Sequence, residues 1–191
     1  MLLRVWSLNT DAKLGAARFE IDMTKRPDAA YWIDKLQLTP HVEGGAFREV
    51  YRSELVIPRH SLPLFFQGDR PASTHIYFLL TAGQFSAFHR IAADELWHFY
   101  SGDPLLVYEI THSGRLVTHR LGGNPEKGEA FVAVIRAGNW FASVLADGGE
   151  YALVGCTVAP GFDFADFELA QRAAMVSQYP QHLELIERLT R

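Results

Sequence analysis

Cysteine is almost absent from this chain. Cys156 is alone among 191 residues, so no intramolecular disulfide can form and a reducing cytoplasm is the expected setting. Its apolar neighbours Leu153, Val154 and Val158 suggest a thiol buried in a strand. Charge is modest as well: 21% of residues are charged and the net charge is -4, which gives no basic field for nucleic acid. No apolar run approaches the ~18 residues a membrane helix needs, so a membrane partner is not expected either. Residues Met1 to Ile21 scatter Arg4, Lys13 and Arg18 among apolar side chains, without the continuous apolar core or cleavage site of a secretory signal. We read residues 1–26 as an extension that packs on the domain or on a partner subunit, with a weakly amphipathic organellar leader as the alternative. Internal repeats and low-complexity segments are missing.

What remains suits one globular domain over residues 27–191. Pro27 to Leu36 opens with a proline suited to a first helical turn and places Trp32 and Leu36 four apart, which predicts a short helix ended by Thr39-Pro40. Glu43-Gly44-Gly45 reads as a turn into a strand over Ala46–Ser53, where Phe47, Glu49 and Tyr51 alternate with Arg48, Val50 and Arg52. Pro58 to Pro71 holds three prolines and reads as a loop, either a lid or a surface excursion. Eight strands are then expected, at Thr74–Leu80, Gln84–Ile91, Glu95–Tyr100, Leu105–Thr111, Arg115–Leu121, Phe131–Arg136, Trp140–Leu145 and Tyr151–Ala159, separated by short Gly, Asn, Asp and Pro turns. That rhythm predicts a mostly β fold, a single antiparallel barrel or sandwich. Two short helices, near Gln171–Val176 and Pro180–Leu189, close the chain.

The most informative stretch runs from Gly83 to Gly102. Alternation puts Phe85, Ala87, His89 and Ile91 on one strand face and Glu95, Trp97 and Phe99 on the next. If the two strands pair as a hairpin, His89 and Glu95 meet on the same side of the sheet. The imidazole titrates near neutrality, and a buried carboxylate needs a partner.

Gly83, His89, Glu95 and Gly102 are in register with the first motif of the cupin superfamily, Gly-x5-His-x-His-x3–4-Glu-x6-Gly, except that the second histidine is Ile91. The second cupin motif aligns on Arg136 to Leu145, where Gly138 is kept and Phe141 holds the histidine position. Longer phrases, Thr39 to Arg52, Phe88-His-Arg, Asp94 to Tyr100 and Leu153 to Glu168, make the chain similar to the uncharacterised fifth cupin family. The resemblance implies a jelly-roll barrel like that of sugar-nucleotide 3,5-epimerases, commonly dimeric, with the His89 ring inside. Two of the four usual metal ligands are replaced, so no cofactor is expected; a divalent metal, if present, would use His89 and Glu95, with His75 as a conceivable third ligand.

Three functions follow as expectations. The first is a metal-independent isomerase or epimerase of a small carbonyl compound or nucleotide-linked sugar, with His89 as base, Glu95 as its orienter and Tyr77 or a water as the returning acid. The second is a metal-dependent cupin dioxygenase or isomerase. The third is a small-molecule-binding module without turnover. Trp97 and Trp140 offer faces for a planar or sugar ring. Arg48 and Arg52 offer bidentate donors for phosphate or carboxylate. His98 should point away from Glu95 yet remains a candidate at the pocket, and of His75 and Tyr77 only one should face the interior. His41, His60, His112, His119 and His182 have no spacing partners. The expected partners are a small molecule in the barrel and a second copy of the chain.

Overall fold

The structure is a computed structural model that describes residues 26–191; the expectations for the preceding extension fall outside them. Helix α1 (Ala29–Leu36) is followed by β1 (Thr39–Pro40), β2 (Ala46–Arg52), β3 (Val56–Ile57), β4 (Arg70–Pro71), β5 (Thr74–Thr81), β6 (Phe85–Arg90) and β7 (Asp94–Gly102). Then come β8 (Leu105–Ile110), β9 (Leu116–Leu121), β10 (Val132–Ile135), β11 (Trp140–Leu145), β12 (Tyr151–Ala159) and β13 (Glu168–Leu169), with α2 (Arg172–Gln178) and α3 (Leu183–Arg188) last. A six-stranded sheet in the order β1-β2-β5-β12-β7-β10 faces a five-stranded sheet in the order β13-β6-β11-β8-β9, and β3 pairs with β4. The pairings between these strands are antiparallel. The result is the expected antiparallel jelly roll, with the described α-helices near the two ends of the described chain and single 3-10 turns at Arg59–Ser61 and Pro125–Lys127 between strands.

One expectation fails here, and it moves the chemistry. Strands β6 and β7 do not form a hairpin: β6 pairs with β11 and β13, whereas β7 pairs with β12 and β10. The chain crosses from one sheet to the other at Ile91–Ala93, so His89 and Glu95 project from opposing walls of the barrel. Crossing buries the inner face of each sheet against the other, which a single hairpin cannot do.

Phe78, Trp97, Leu105, Phe141 and Val154 fill the space between the sheets. The Pro58–Pro71 excursion runs largely over the surface and contributes nothing to the main cavity's wall, anchored by Leu62 and Phe66, which join the same core. Outside the five-stranded sheet, Phe88, Ile110, Trp140 and Ala142 are covered by Met175, Ile186 and Leu189 of the C-terminal segment. Helix α1 begins at Asp28, whose carboxylate accepts from the Tyr31 N–H, and lays Trp32, Ile33 and Leu36 over Leu79 and Leu153 on the outside of the six-stranded sheet. No described helix is long and apolar enough to cross a membrane.

Candidate functional site

A cavity of about 210 Å³ opens between the sheets. Its wall takes Thr74, Ile76 and Phe78 from β5, Cys156 and Val158 from β12, Glu95 from β7 and His89 from β6, and its cover takes Phe162, Phe164 and Phe167 from the segment after β12. Period two on β5 sends Thr74, Ile76 and Phe78 inward and therefore His75 and Tyr77 outward together.

The residue that organises the cavity is Glu43, which sequence reasoning read only as part of a turn. It lies between β1 and β2 and is 6% exposed. Gly44 and Gly45 follow with φ of 119° and 71°, and a Cβ at Gly44 would overlap the Phe85 carbonyl oxygen. The Gly-Gly pair thus lets the loop press onto β6, where the Ala87 N–H donates to the Glu43 carbonyl at 2.8 Å. The ladder between β6 and β11 is irregular: Phe141 faces His89 but Ser143 faces Ser86, one residue out of step. This bulge turns Ser86 and His89, three apart in sequence, to the same inner side, in place of the regular alternation expected from Phe85 to Ile91. Both then reach Glu43: Ser86 Oγ donates to Oε1 at 2.9 Å, and His89 Nε2 lies 3.1 Å from Oε2.

His89 Nδ1 donates to the Ala87 carbonyl at 2.8 Å, which leaves Nε2 as the nitrogen that faces Glu43. His41 Nδ1 is 3.5 Å from Glu43 Oε2, but it accepts the Glu43 backbone N–H at 3.3 Å, so that contact is not an ion pair. Glu95, on the opposite wall, is 7% exposed and shares the cavity lining with Cys156.

Burial dominates the protonation of all these groups. Desolvation pushes Glu43 up to about 7, opposed by His41, Ser86 and, last, Arg191. Desolvation and then the neighbouring Glu43 push Glu95 up to about 8. Desolvation lowers His89 to about 4 against the hydrogen bond to Ala87, and it lowers His41. Cys156 is raised far above its ordinary range, first by burial and then by the two carboxyls, so the thiol stays protonated and inert. Near neutrality the floor of the cavity therefore holds a neutral imidazole and two carboxyls that share their ionisation.

This has a consequence for stability. The folded chain keeps the Glu95 proton to about pH 8, whereas an unfolded glutamate releases it near ~4.3. Between those values the folded state binds more protons, so stability falls as pH rises through the window. Glu43 adds a similar loss up to about 7, and His89 acts in the opposite sense, costing stability as pH falls from ~6.5 towards 4. Glu95→Gln should flatten the alkaline limb of a melting-temperature profile between pH 5 and 9, leaving only the smaller Glu43 limb. An unchanged slope would mean that Glu95 is ionised in the folded protein.

The other sequence candidates divide between the two sides of the sheets. The expected His89–Glu95 pair is corrected to His89–Glu43, because the strands face each other instead of pairing. Tyr77 is outside, edge-on to Tyr100, and cannot serve as acid in the cavity. His75 is also outside, its Nδ1 on Thr157 Oγ1 at 2.7 Å, and His98 meets the same hydroxyl at 3.1 Å. Trp97 is a core residue packed against Phe78 and Phe141, and Trp140 sits beneath the C-terminal helices with the Arg90 guanidinium 4.5 Å over its ring. A second register shift, between Glu49 and Tyr51 on β2, separates the two arginines. Arg48 goes outside to Leu36 and Gln37, and Arg52 joins Phe47 and Glu49 on the cavity wall.

The family profile described as Cupin superfamily (DUF985), Cupin_5, matches residues 30–170. The chain belongs to this cupin family. A solved protein from Shewanella oneidensis is 39% identical, with a TM-score of 0.77 over 87% of this chain and 99% of its own. A hypothetical protein from Leishmania major is 35% identical, with a TM-score of 0.79 over 86% of this chain and 99% of its own. No curated protein matches the chain significantly.

Many cupins hold a metal, so the donor set of this one matters. Ile91 and Phe141 stand at two ligand positions and cannot coordinate. His89 directs its cavity-facing nitrogen at Glu43, and among the described residues no group of three or more His, Cys, Asp or Glu side chains is arranged to hold an ion. Catalytic metal sites need about three protein ligands, and this set does not fit one.

Proposed function

We propose that this cupin binds a small carbonyl compound and isomerises it by proton transfer, with Glu43 as base and Glu95 as acid. The observation that carries the reading is the pair of buried carboxyls in a cavity otherwise lined largely by apolar side chains, both tuned close to neutrality. Such tuning is what general acid–base work requires. An ionised Glu43 takes a proton from the carbon beside the carbonyl, and the proton comes to rest between Oε2 and His89 Nε2. Protonated Glu95 gives its proton to the carbonyl oxygen as the enol forms. Return of a proton to carbon, and of the enol proton to Glu95, completes an isomerisation that consumes no other reagent.

The cavity is smaller than the ~300–1,000 Å³ typical of drug-sized sites. A nucleotide-linked sugar would enter by its sugar end only. The test is incubation of the protein in heavy water with a panel of small ketones, hydroxyketones and keto sugars, followed by NMR for carbon-bound deuterium. Incorporation that depends on protein supports the reading. Saturable binding without incorporation would reduce the protein to a small-molecule-binding module.

A further inference from the structure

The ionisable lining of the cavity is lopsided. Four carboxyls, Glu43, Glu49, Glu95 and Asp163, face it against one guanidinium, Arg52. Arg52 is already occupied: its Nε and Nη2 donate to the two Glu49 oxygens at 2.9 and 2.7 Å, and Nη1 donates to the Phe162 carbonyl at 3.3 Å. Its proton is held more firmly than usual by Glu49 and also by Asp163. The two histidines of the lining, His41 and His89, are neutral through burial, and Arg191 is the weakest of the influences on Glu43. A ligand carboxylate or phosphate would therefore meet acids and no uncommitted cation.

The cover is as informative as the floor. Phe162, Phe164 and Phe167 all line the cavity, and their ring planes stand at 78°, 73° and 71° to one another. Three nearly perpendicular rings make a corner, with Phe47 and Phe78 on the strands beyond. Aromatic faces attract cations through the ring quadrupole, and boxes of such rings recognise substituted ammonium groups. Carboxyls on one side and ring faces on the other both select positive charge.

We propose that the ligand of this cavity is a small organic cation, its ammonium group held between the phenylalanine corner and the Glu43 carboxylate, with Glu95 on the opposite wall keeping its proton for the carbonyl oxygen. The inference rests on the cavity being the ligand site and narrows the substrate to a carbonyl compound that bears an amino group. A bound ammonium favours the ionised Glu43 carboxylate, so binding releases protons and tightens as pH rises through about 7.

Three probes of one shape separate charge from fit: choline, its neutral carbon isostere 3,3-dimethyl-1-butanol, and the anion 3,3-dimethylbutanoate. Calorimetry with the full chain at pH 7.5, in two buffers of different ionisation enthalpy, should show choline binding at least tenfold more tightly than the alcohol and releasing protons, with the carboxylate weakest. Glu43→Gln should narrow the ratio of choline to alcohol affinity. So should Phe164→Leu, a change at a ring that is 58% exposed and that leaves the core untouched. Equal affinities, a preference for the carboxylate, or no saturation by millimolar choline would each overturn the proposal. Choline binding with no deuterium exchange in any carbonyl compound would sink the isomerase reading and leave this one standing; exchange on uncharged ketones without a charge preference would do the reverse.

Discussion

Asp166→Ala should lower the stability of this protein by about 3–5 kcal/mol, the usual consequence of leaving one charge of a buried pair alone. Arg70 and Asp166 are 3% and 7% exposed at their side chains and meet through two contacts of 2.6 Å. Without the carboxylate, the guanidinium keeps only the Asp69 carbonyl, at 2.8 Å, among its described hydrogen-bond partners. The pair joins β4 to the segment that carries Phe164 and Phe167, so its loss reaches the cavity as well as the fold. At roughly 2–4 °C per kcal/mol for a domain of this size, the melting temperature should fall by at least about 6 °C. Replacing both partners with apolar residues of similar volume, Arg70→Met with Asp166→Leu, should recover most of that loss, because no buried charge then remains. A single variant that melts within a degree or two of wild type would show that the ion pair is solvated.

The fold was readable because its signals are local. Turn residues recur at short intervals between Thr74 and Ala159, and each alternating run between them became a strand within a few residues of its expected bounds. The site was not local. Glu43 and His89 lie 46 residues apart, and nothing in Glu43-Gly44-Gly45 names β6 as the strand the loop presses against. The one available hint was physical: two glycines directly after a carboxylate allow the chain an approach that no other residue permits.

Parity accounts for the remaining corrections. With Phe141 at an inward motif position, its neighbour Trp140 had to face out. His75 and Tyr77, two apart on one regular strand, had to share a side, so one inside and one outside was never available to them. Regular alternation was misleading on β2 and β6, where register shifts place Arg52 with Glu49 and Ser86 with His89. Sequence does not reveal such bulges, because one extra residue in a strand leaves its composition unchanged. Each redirects a polar side chain that strict alternation would have sent elsewhere: one brings Arg52 to the cavity wall and the other brings Ser86 to Glu43.

The variant that bears most directly on the chemistry is Glu43→Gln. An amide keeps the shape of the carboxyl and can still accept from Ser86, but it cannot take a proton. If Glu43 is the base, carbon–deuterium exchange should drop by about 10²–10⁴-fold while melting behaviour at pH 6 is kept. The pH profile carries a further signature. Exchange needs Glu43 ionised and Glu95 protonated, so the rate should rise through about 7 and fall above about 8, a narrow bell whose two limbs belong to the coupled pair. Glu95→Gln should lower the rate and remove the falling limb, since the amide donates at every pH. His89→Gln is the weaker lesion: it removes the resting place of the proton and leaves the base, so the bell should persist at reduced height. If Glu43→Gln retained the wild-type rate while His89→Gln abolished it, the imidazole would be the base after all, and Glu43 its orienter.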